Sequence, residues 1–344
     1  MINAAHGGND LGLDIRLDLS ANLNPMGMPE SVRAAVVASA DCWERYPDPM
    51  CRELREKLAE KLGEDMEKIV CGNGADDLIY RIASALKPRR ALICAPTFAE
   101  YGKALRENGC ELREHILREN ENFCLTERIL GELSRVDMAV ICTPNNPTGI
   151  TVPRELMERI AAECEKNGTY LLADESFIGF TGRKRELTAL NLPGSHVIVL
   201  RSFTKLYAMA GLRLGYAVCG STDTAEKIAA AGQYWSVSAP AQAAGIAALD
   251  EADYVRRTVS LIAEERKYLS SELSALGCRV YPSEADYILF RSIPELGEKL
   301  LCDGILVRSC KDYSGLDGSF FRTAVGLHDD NEALVCAVRR CLDG

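Results

Sequence analysis

The sequence predicts an α/β fold in which a mostly parallel sheet, covered by helices on both faces, is followed by a smaller α+β unit. Three observations carry this. Short apolar runs alternate with helical segments over about 150 residues, the pattern of successive βα units. Chemically conspicuous residues stand just after those runs, where an open parallel sheet binds its ligands. Beyond Gln242 the alternation stops, and a long helical stretch leads into short, separated strands.

In chain order, His6-Gly7-Gly8-Asn9-Asp10 cannot sustain a helix and reads as a flexible arm. Residues 17–25 form an extended segment closed by an Asn/Pro turn. Residues 30–40 read as a helix, and 44–48 as a loop in which Tyr46 stands among charges. A helix over 51–62 and a strand over 69–71 follow. Gly72-Asn73-Gly74-Ala75-Asp76-Asp77 then opens a helix to about Leu86. Such a glycine-rich strand-to-helix turn presents bare N–H groups and the positive end of a helix dipole, which suits an anion. It is neither a Walker loop nor G-x-G-x-x-G.

Strands are predicted at 91–95, 111–117, 138–142, 170–173 and 197–200, with helices at 99–108, 126–133 and 154–167 between them. A further strand over 213–219 is expected to run antiparallel. After the helix 253–276 come strands at 287–290, 305–308 and 320–325 and a closing helix. The expected division is an arm and part of a small domain over 1–40, a large domain over 41–240, and the rest of the small domain over 241–344.

The net charge of −10 argues against nucleic acid or an anionic membrane as partner. No apolar run approaches membrane-spanning length, and the N-terminus resembles neither a signal peptide nor a lipidation site. The fourteen cysteines are scattered without C-x-x-C, so no metal is expected. Cysteines within apolar strands read as small hydrophobes in a reducing, cytoplasmic protein.

The chemistry centres on Ser202-Phe-Thr-Lys205 and Arg213, which follow the strand 197–200. A lysine among small and apolar residues loses charge stabilisation, and its free amine can condense with an aldehyde. Hydroxyls at Ser202 and Thr204 and the Arg213 guanidinium suit a dianionic phosphate. Aldehyde plus phosphate points to pyridoxal phosphate. The alternative S-x-x-K reading fails because neither S-D-N nor K-T-G occurs. Asp174, directly after the strand 170–173, suits a buried carboxylate that keeps a pyridine nitrogen protonated. Asn146, after 138–142, can donate to a phenolic oxygen.

Asn146-Pro-Thr-Gly149, Asp174-Glu175, Ser202…Lys205…Arg213 and Gly72-Asn-Gly74 resemble, in order, the motifs of the fold-type I pyridoxal-phosphate enzymes, the class I/II aminotransferase family. That resemblance covers the whole chain. It implies that Lys205 bonds the cofactor aldehyde, Asp174 pairs its ring nitrogen and Asn146 its phenolic oxygen. Ser202, Arg213 and the Gly74, Ala75 and Asp76 amides would hold its phosphate. Phe98 would stack on the ring, with Tyr101 in reserve. Tyr46 would reach the cofactor of a neighbouring subunit, implying a homodimer with shared active sites. Phe177 departs from the family, which has a tyrosine there.

Within the family, the chain resembles the branch of histidinol-phosphate aminotransferases and threonine-phosphate decarboxylases. Its ends, including Ala5-His6-Gly7-Gly8-Asn9 and Arg308-Ser-Cys-Lys-Asp-Tyr-Ser-Gly-Leu-Asp317, resemble the decarboxylases of cobalamin synthesis. The resemblance implies a phosphorylated amino acid as substrate, held by His6 and Gly7 on an arm from the other subunit and by Asn22, Asn146, Arg308 and Arg322. The expected reaction is decarboxylation of L-threonine O-3-phosphate. Transamination of histidinol phosphate and decarboxylation of serine phosphate are the alternatives. A regulator's effector domain is a further, non-enzymatic reading, but the segment before residue 20 is too short to hold a DNA-binding module.

Overall fold

A computed structural model of the chain describes residues 7–8, 12 and 14–343; His6 lies outside them. The strands are β1 (Leu17–Asp18), β2 (Ile69–Gly72), β3 (Arg90–Ala95), β4 (Glu111–Ile116), β5 (Met138–Cys142), β6 (Tyr170–Asp174) and β7 (Val197–Ser202). They continue with β8 (Gly215–Cys219), β9 (Arg279–Val280), β10 (Tyr287–Arg291), β11 (Ile305–Leu306), β12 (Arg308–Ser309) and β13 (Phe320–Ala324).

Seven of them form one sheet in the order β2-β8-β7-β6-β5-β3-β4. Only β8 runs against the rest, pairing antiparallel with both β2 and β7. Strand residues explain why both faces are covered. In β5, Ala139 and Ile141 enter one core, with the helix Arg154–Asn167, while Met138, Val140 and Cys142 enter the other, with the helices Gly74–Leu86 and Ala99–Glu107. β7 splits the same way, Val197 and Val199 against Ile198 and Leu200. Successive side chains on a strand face opposite sides, so a continuous apolar run serves two layers.

A four-stranded antiparallel sheet, β12-β13-β10-β9, packs with the helices Ala252–Ala275 and His328–Asp343 around a separate core. β1 pairs in parallel with β11, which ties the start of the chain to this second region. The expected single strand over 305–308 is therefore two. Its first half joins β1 and its second half joins β13, and the change of partner falls at buried Val307.

Other expected elements change in detail. The helix expected over 126–133 is a 3-10 turn, Glu127–Ile129, leading into one α-turn, Leu130–Leu133. Helices at Thr222–Ala230 and Ala239–Ala248 were not predicted. Each begins at a serine, Ser221 and Ser238, whose side chain accepts an N–H of the first turn. All fourteen cysteines are free, and ten are buried. Among the described residues no helix is long and apolar enough to cross a membrane.

Candidate active site

The parallel strands β5, β6 and β7 end side by side, with Cys142 opposite Asp174 and Asp174 opposite Leu200. Beyond those ends lies a cavity of about 230 Å³. Lys205 enters it from the loop between β7 and β8. That loop is fixed at both ends, because Ser202 pairs with Gly215 and Phe203 N–H donates to Leu214 O at 3.1 Å. Burial pushes the Lys205 amine down to about 8; Arg322 and Arg213 push the same way, and Asp286 opposes them. The neutral, nucleophilic amine is thus far more accessible than in a solvated lysine.

Asp174 is buried at the end of β6. Its Oδ2 accepts from Tyr101 Oη at 2.6 Å and its Oδ1 from Ser176 N–H at 2.8 Å. Burial raises its carboxyl pKa, and these two hydrogen bonds hold it down. Next along the chain, Glu175 has other partners: Arg201 Nε and Nη2, Thr188 Oγ1 and Ala189 N–H all donate to it. The alternation along the strand sends the two carboxylates to opposite tasks.

Two glycines shape an anion cradle on the large sheet. Gly74 has φ +89°, and a Cβ there would meet Arg213 Nη2 at 2.5 Å; a Cβ on Gly215 would meet the Ala75 nitrogen at 2.5 Å. Bare backbone is therefore required at the start of the helix Gly74–Leu86, where the dipole favours negative charge. Ser202 Oγ and Thr204 Oγ1 lie 2.6 Å apart beside it. Phe98 lines the cavity and meets Tyr101 edge-on, 5.6 Å between centroids.

From the second sheet come Arg308 and Arg322. Buried Arg322 donates to Asn146 Oδ1 and, at 2.6 Å, to Ser20 O, and its guanidinium lies 5.5 Å from the Tyr287 ring centroid. With its oxygen so engaged, Asn146 keeps its amide N–H₂ for a ligand. Arg308 donates to Ser309 O at 2.7 Å and Asp312 Oδ2 at 2.6 Å, with Tyr313 beneath it. Asn22 is buried, and its Oδ1 has no hydrogen-bond partner among the described residues. Gly7, expected on an arm from the other subunit, lines the cavity of its own chain, where Gly8 N–H donates to Ser20 Oγ at 2.8 Å.

Of the expected site residues, Tyr46 alone among the described ones lies away from this cavity. It is 76 % exposed and stacks on Trp235 at 4.2 Å. Tyr101, held in reserve as a ring-stacking residue, instead spends its hydroxyl on Asp174. Asp286 escaped sequence reading, since it belongs to no motif and ends no predicted strand; Tyr313 lies within the stretch 308–317 that carries the resemblance, but only its place under Arg308 gives it a task.

These features fit pyridoxal phosphate: a lysine amine easily made neutral, a buried carboxylate, and a glycine cradle beside hydroxyls and an arginine. The model of the "Aminotransferase class I and II" family matches residues 14–338. The chain belongs to that family. Like other class I/II aminotransferase-family members, it is an enzyme whose cofactor is pyridoxal phosphate.

Among curated members, the threonine-phosphate decarboxylase of Salmonella typhimurium is 41% identical over 357 residues, covering 100% of this chain and 98% of that protein. The histidinol-phosphate aminotransferase of Methanosarcina mazei is 34% identical over 93% of this chain and 87% of that protein. The solved structure of the histidinol-phosphate aminotransferase from Clostridium acetobutylicum superposes with TM-score 0.89 at 30% identity, covering 95% of this chain and 99% of that one. L-threonine-O-3-phosphate decarboxylase from Porphyromonas gingivalis gives 0.86 at 26%, covering 95% and 100%.

Proposed function

We propose that this enzyme removes CO₂ from L-threonine O-3-phosphate, giving (R)-1-amino-2-propanol O-2-phosphate for cobalamin synthesis. The observation that carries the reading is the pair Arg308 and Arg322, which come from the second sheet and line the same cavity as Lys205. Two arginines suit a phosphate and leave the large-sheet cradle for the cofactor's own phosphate. The 41% identity to a threonine-phosphate decarboxylase over the full chain supports decarboxylation rather than transfer of the amino group.

When bound, pyridoxal phosphate supplies an electron sink for the pair left at the substrate α-carbon. Asp174, held in place by Tyr101 and Ser176, would offer a negative charge to the pyridine nitrogen. Asn146 would offer its amide N–H₂ to the phenolic oxygen, and Phe98 would pack against the ring. Ser202, Arg213 and the amides of Gly74, Ala75 and Asp76 would hold the cofactor phosphate. Arg308, Arg322, Asn22, Gly7 and His6 would hold the substrate. Their grip on its phosphate would decide which α-carbon bond is presented for cleavage. Lys205 Nζ delivers the proton that replaces CO₂.

A homodimer completes this reading. Tyr46, Trp235 and Tyr234 form an exposed aromatic group, and Trp43 is exposed on the same loop as Tyr46. A second copy covering them would bring Tyr46 to its neighbour's cofactor. The free cysteines support a reducing, cytoplasmic compartment.

The test is direct. Purified protein loaded with pyridoxal phosphate is given L-threonine O-phosphate without any keto acid, and CO₂ is measured. A parallel reaction contains histidinol phosphate with 2-oxoglutarate, read as glutamate. CO₂ release that is lost in Lys205→Ala supports the proposal, and glutamate without CO₂ replaces it with transamination. Serine phosphate is run alongside, because a single methyl is a weak discriminator.

A further inference from the structure

One buried acid that bears on Lys205 has no task in the steps above. Asp286 immediately precedes β10 and is 0 % exposed. Its backbone is pinned from several sides. Asp286 O accepts from Val325 N–H at 2.8 Å, Ala285 O accepts from Arg266 Nη1 at 2.7 Å, and Tyr287 Oη donates to Asn145 O at 2.9 Å. These contacts hold the main chain, yet both oxygens of the Asp286 carboxylate lack a hydrogen-bond partner among the described residues. A buried polar group without a partner is costly, and its retention calls for an explanation.

The charged and titratable groups facing it come from four places. Lys205 comes from the β7–β8 loop, Arg322 from β13, Arg266 from the helix Ala252–Ala275, and Tyr287 is its neighbour in sequence. Arg266 is engaged with Ala285 O, and the Arg322 amino groups with Asn146 and Ser20. Lys205 Nζ makes no direct hydrogen bond among the described residues, and of the groups acting on its charge Asp286 alone favours it; Arg213 and Arg322 oppose it.

We propose that Asp286 is the counter-charge of Lys205, a positioning residue that sets how readily the lysine amine gives up and regains its proton. The inference rests on the reading of Lys205 as the cofactor lysine. Burial raises the Asp286 carboxyl to about 7 and lowers the Lys205 amine to about 8, each restrained by the other. The Asp286 carboxylate thus favours the ammonium form of Lys205 against burial and the two arginines. Once the lysine has lost its proton, the amine is free to bond an aldehyde. With it back on Lys205, the ammonium can protonate the substrate carbon.

The experiment uses the full-length protein freed of pyridoxal phosphate. Lys205 is acetylated competitively with trace acetic anhydride across the pH range, and the labelled peptide is quantified by mass spectrometry. Wild type should give a midpoint near 8. Asp286→Asn removes the carboxylate while keeping its shape, so the midpoint should fall by about one pH unit, the size of effect a close opposite charge exerts. Asp286→Ala should do the same.

A midpoint that stays put, or rises, overturns the proposal. Should the Asp286 variants fail to fold, Lys205→Met supplies the reverse measurement. Its infrared spectrum should keep the C=O band of a protonated buried carboxyl to higher pH than wild type, and an identical pH dependence overturns the proposal. The labelling needs no cofactor, so its failure is separable from that of the underlying reading. Borohydride reduction that fixes pyridoxal phosphate to another lysine would overturn the reading of the site, and with it the purpose assigned to Asp286.

Discussion

The hydroxyl of Tyr101 donates to Asp174 Oδ2 at 2.6 Å, from a helix 73 residues earlier in the chain. It helps keep the Asp174 carboxyl ionised against burial, and ionisation is what a protonated pyridine nitrogen requires of it. Tyr101→Phe removes that donor without changing the packing. A hydrogen bond to a charged group contributes about 1.5–3 kcal/mol. Affinity for pyridoxal phosphate should therefore fall about tenfold or more, read by absorbance titration of the cofactor-free protein, with Asp174→Asn more severe.

Glu175 adjoins Asp174 in sequence but serves the fold. Its carboxylate and the Arg201 guanidinium form a buried pair at 2.7 Å. Breaking such a pair from one side costs about 3–5 kcal/mol. Glu175→Gln should lower stability to urea by that order, while turnover per folded molecule stays within a few-fold of wild type. A large loss of turnover with stability intact would mean that the two carboxylates had been assigned the wrong way round.

Asp312 holds Arg308 at 2.6 Å and is itself exposed. An incoming phosphate must compete with that carboxylate for the guanidinium. In Asp312→Asn, Arg308 remains oriented by Ser309 O and Tyr313 but faces less competition. KM for the phosphorylated substrate should drop several-fold with kcat little changed, and the difference should shrink as salt rises.

Uptake of pyridoxal phosphate by the cofactor-free enzyme should depend on pH through Lys205. Only the neutral amine attacks the aldehyde, and its fraction rises with pH. Because the amine is depressed to about 8, the uptake rate should rise about tenfold per unit below that value and level off above it. A solvated lysine would keep climbing towards 10.5. Stopped-flow absorbance separates the two profiles.

Much of this was legible in the sequence because each strand carries its own signal. The apolar runs at β3, β5, β6 and β7 are short and bounded by turns, and Asp174, Ser202 and Lys205 follow them directly. What escaped depends on long-range pairing. Nothing local says that Ile305–Leu306 will join β1 while Arg308–Ser309 joins β13. The helix Ala239–Ala248 is mostly alanine, so its apolar stripe is faint. Asp286 looks like an ordinary residue ahead of a strand, and only the fold brings it to Lys205. Phe177, a departure from the family pattern, packs edge-on against Tyr287 at 5.0 Å, so its ring is tied to the second core.

Lys205 and Asp174 are anchored in one sheet, and Arg308 and Arg322 in another. Bond cleavage and recognition of the substrate's far end thus have separate foundations. Arg322, which donates to Asn146 and bears on Lys205, couples the two, but mutation around Arg308 can remodel the second foundation with little effect on the first. A lineage could exchange one phosphorylated substrate for another by altering a few positions in the last hundred or so residues, keeping the lysine and its carboxylate untouched. Directed evolution of new specificity in this enzyme should therefore begin at β12, β13 and the turn between them.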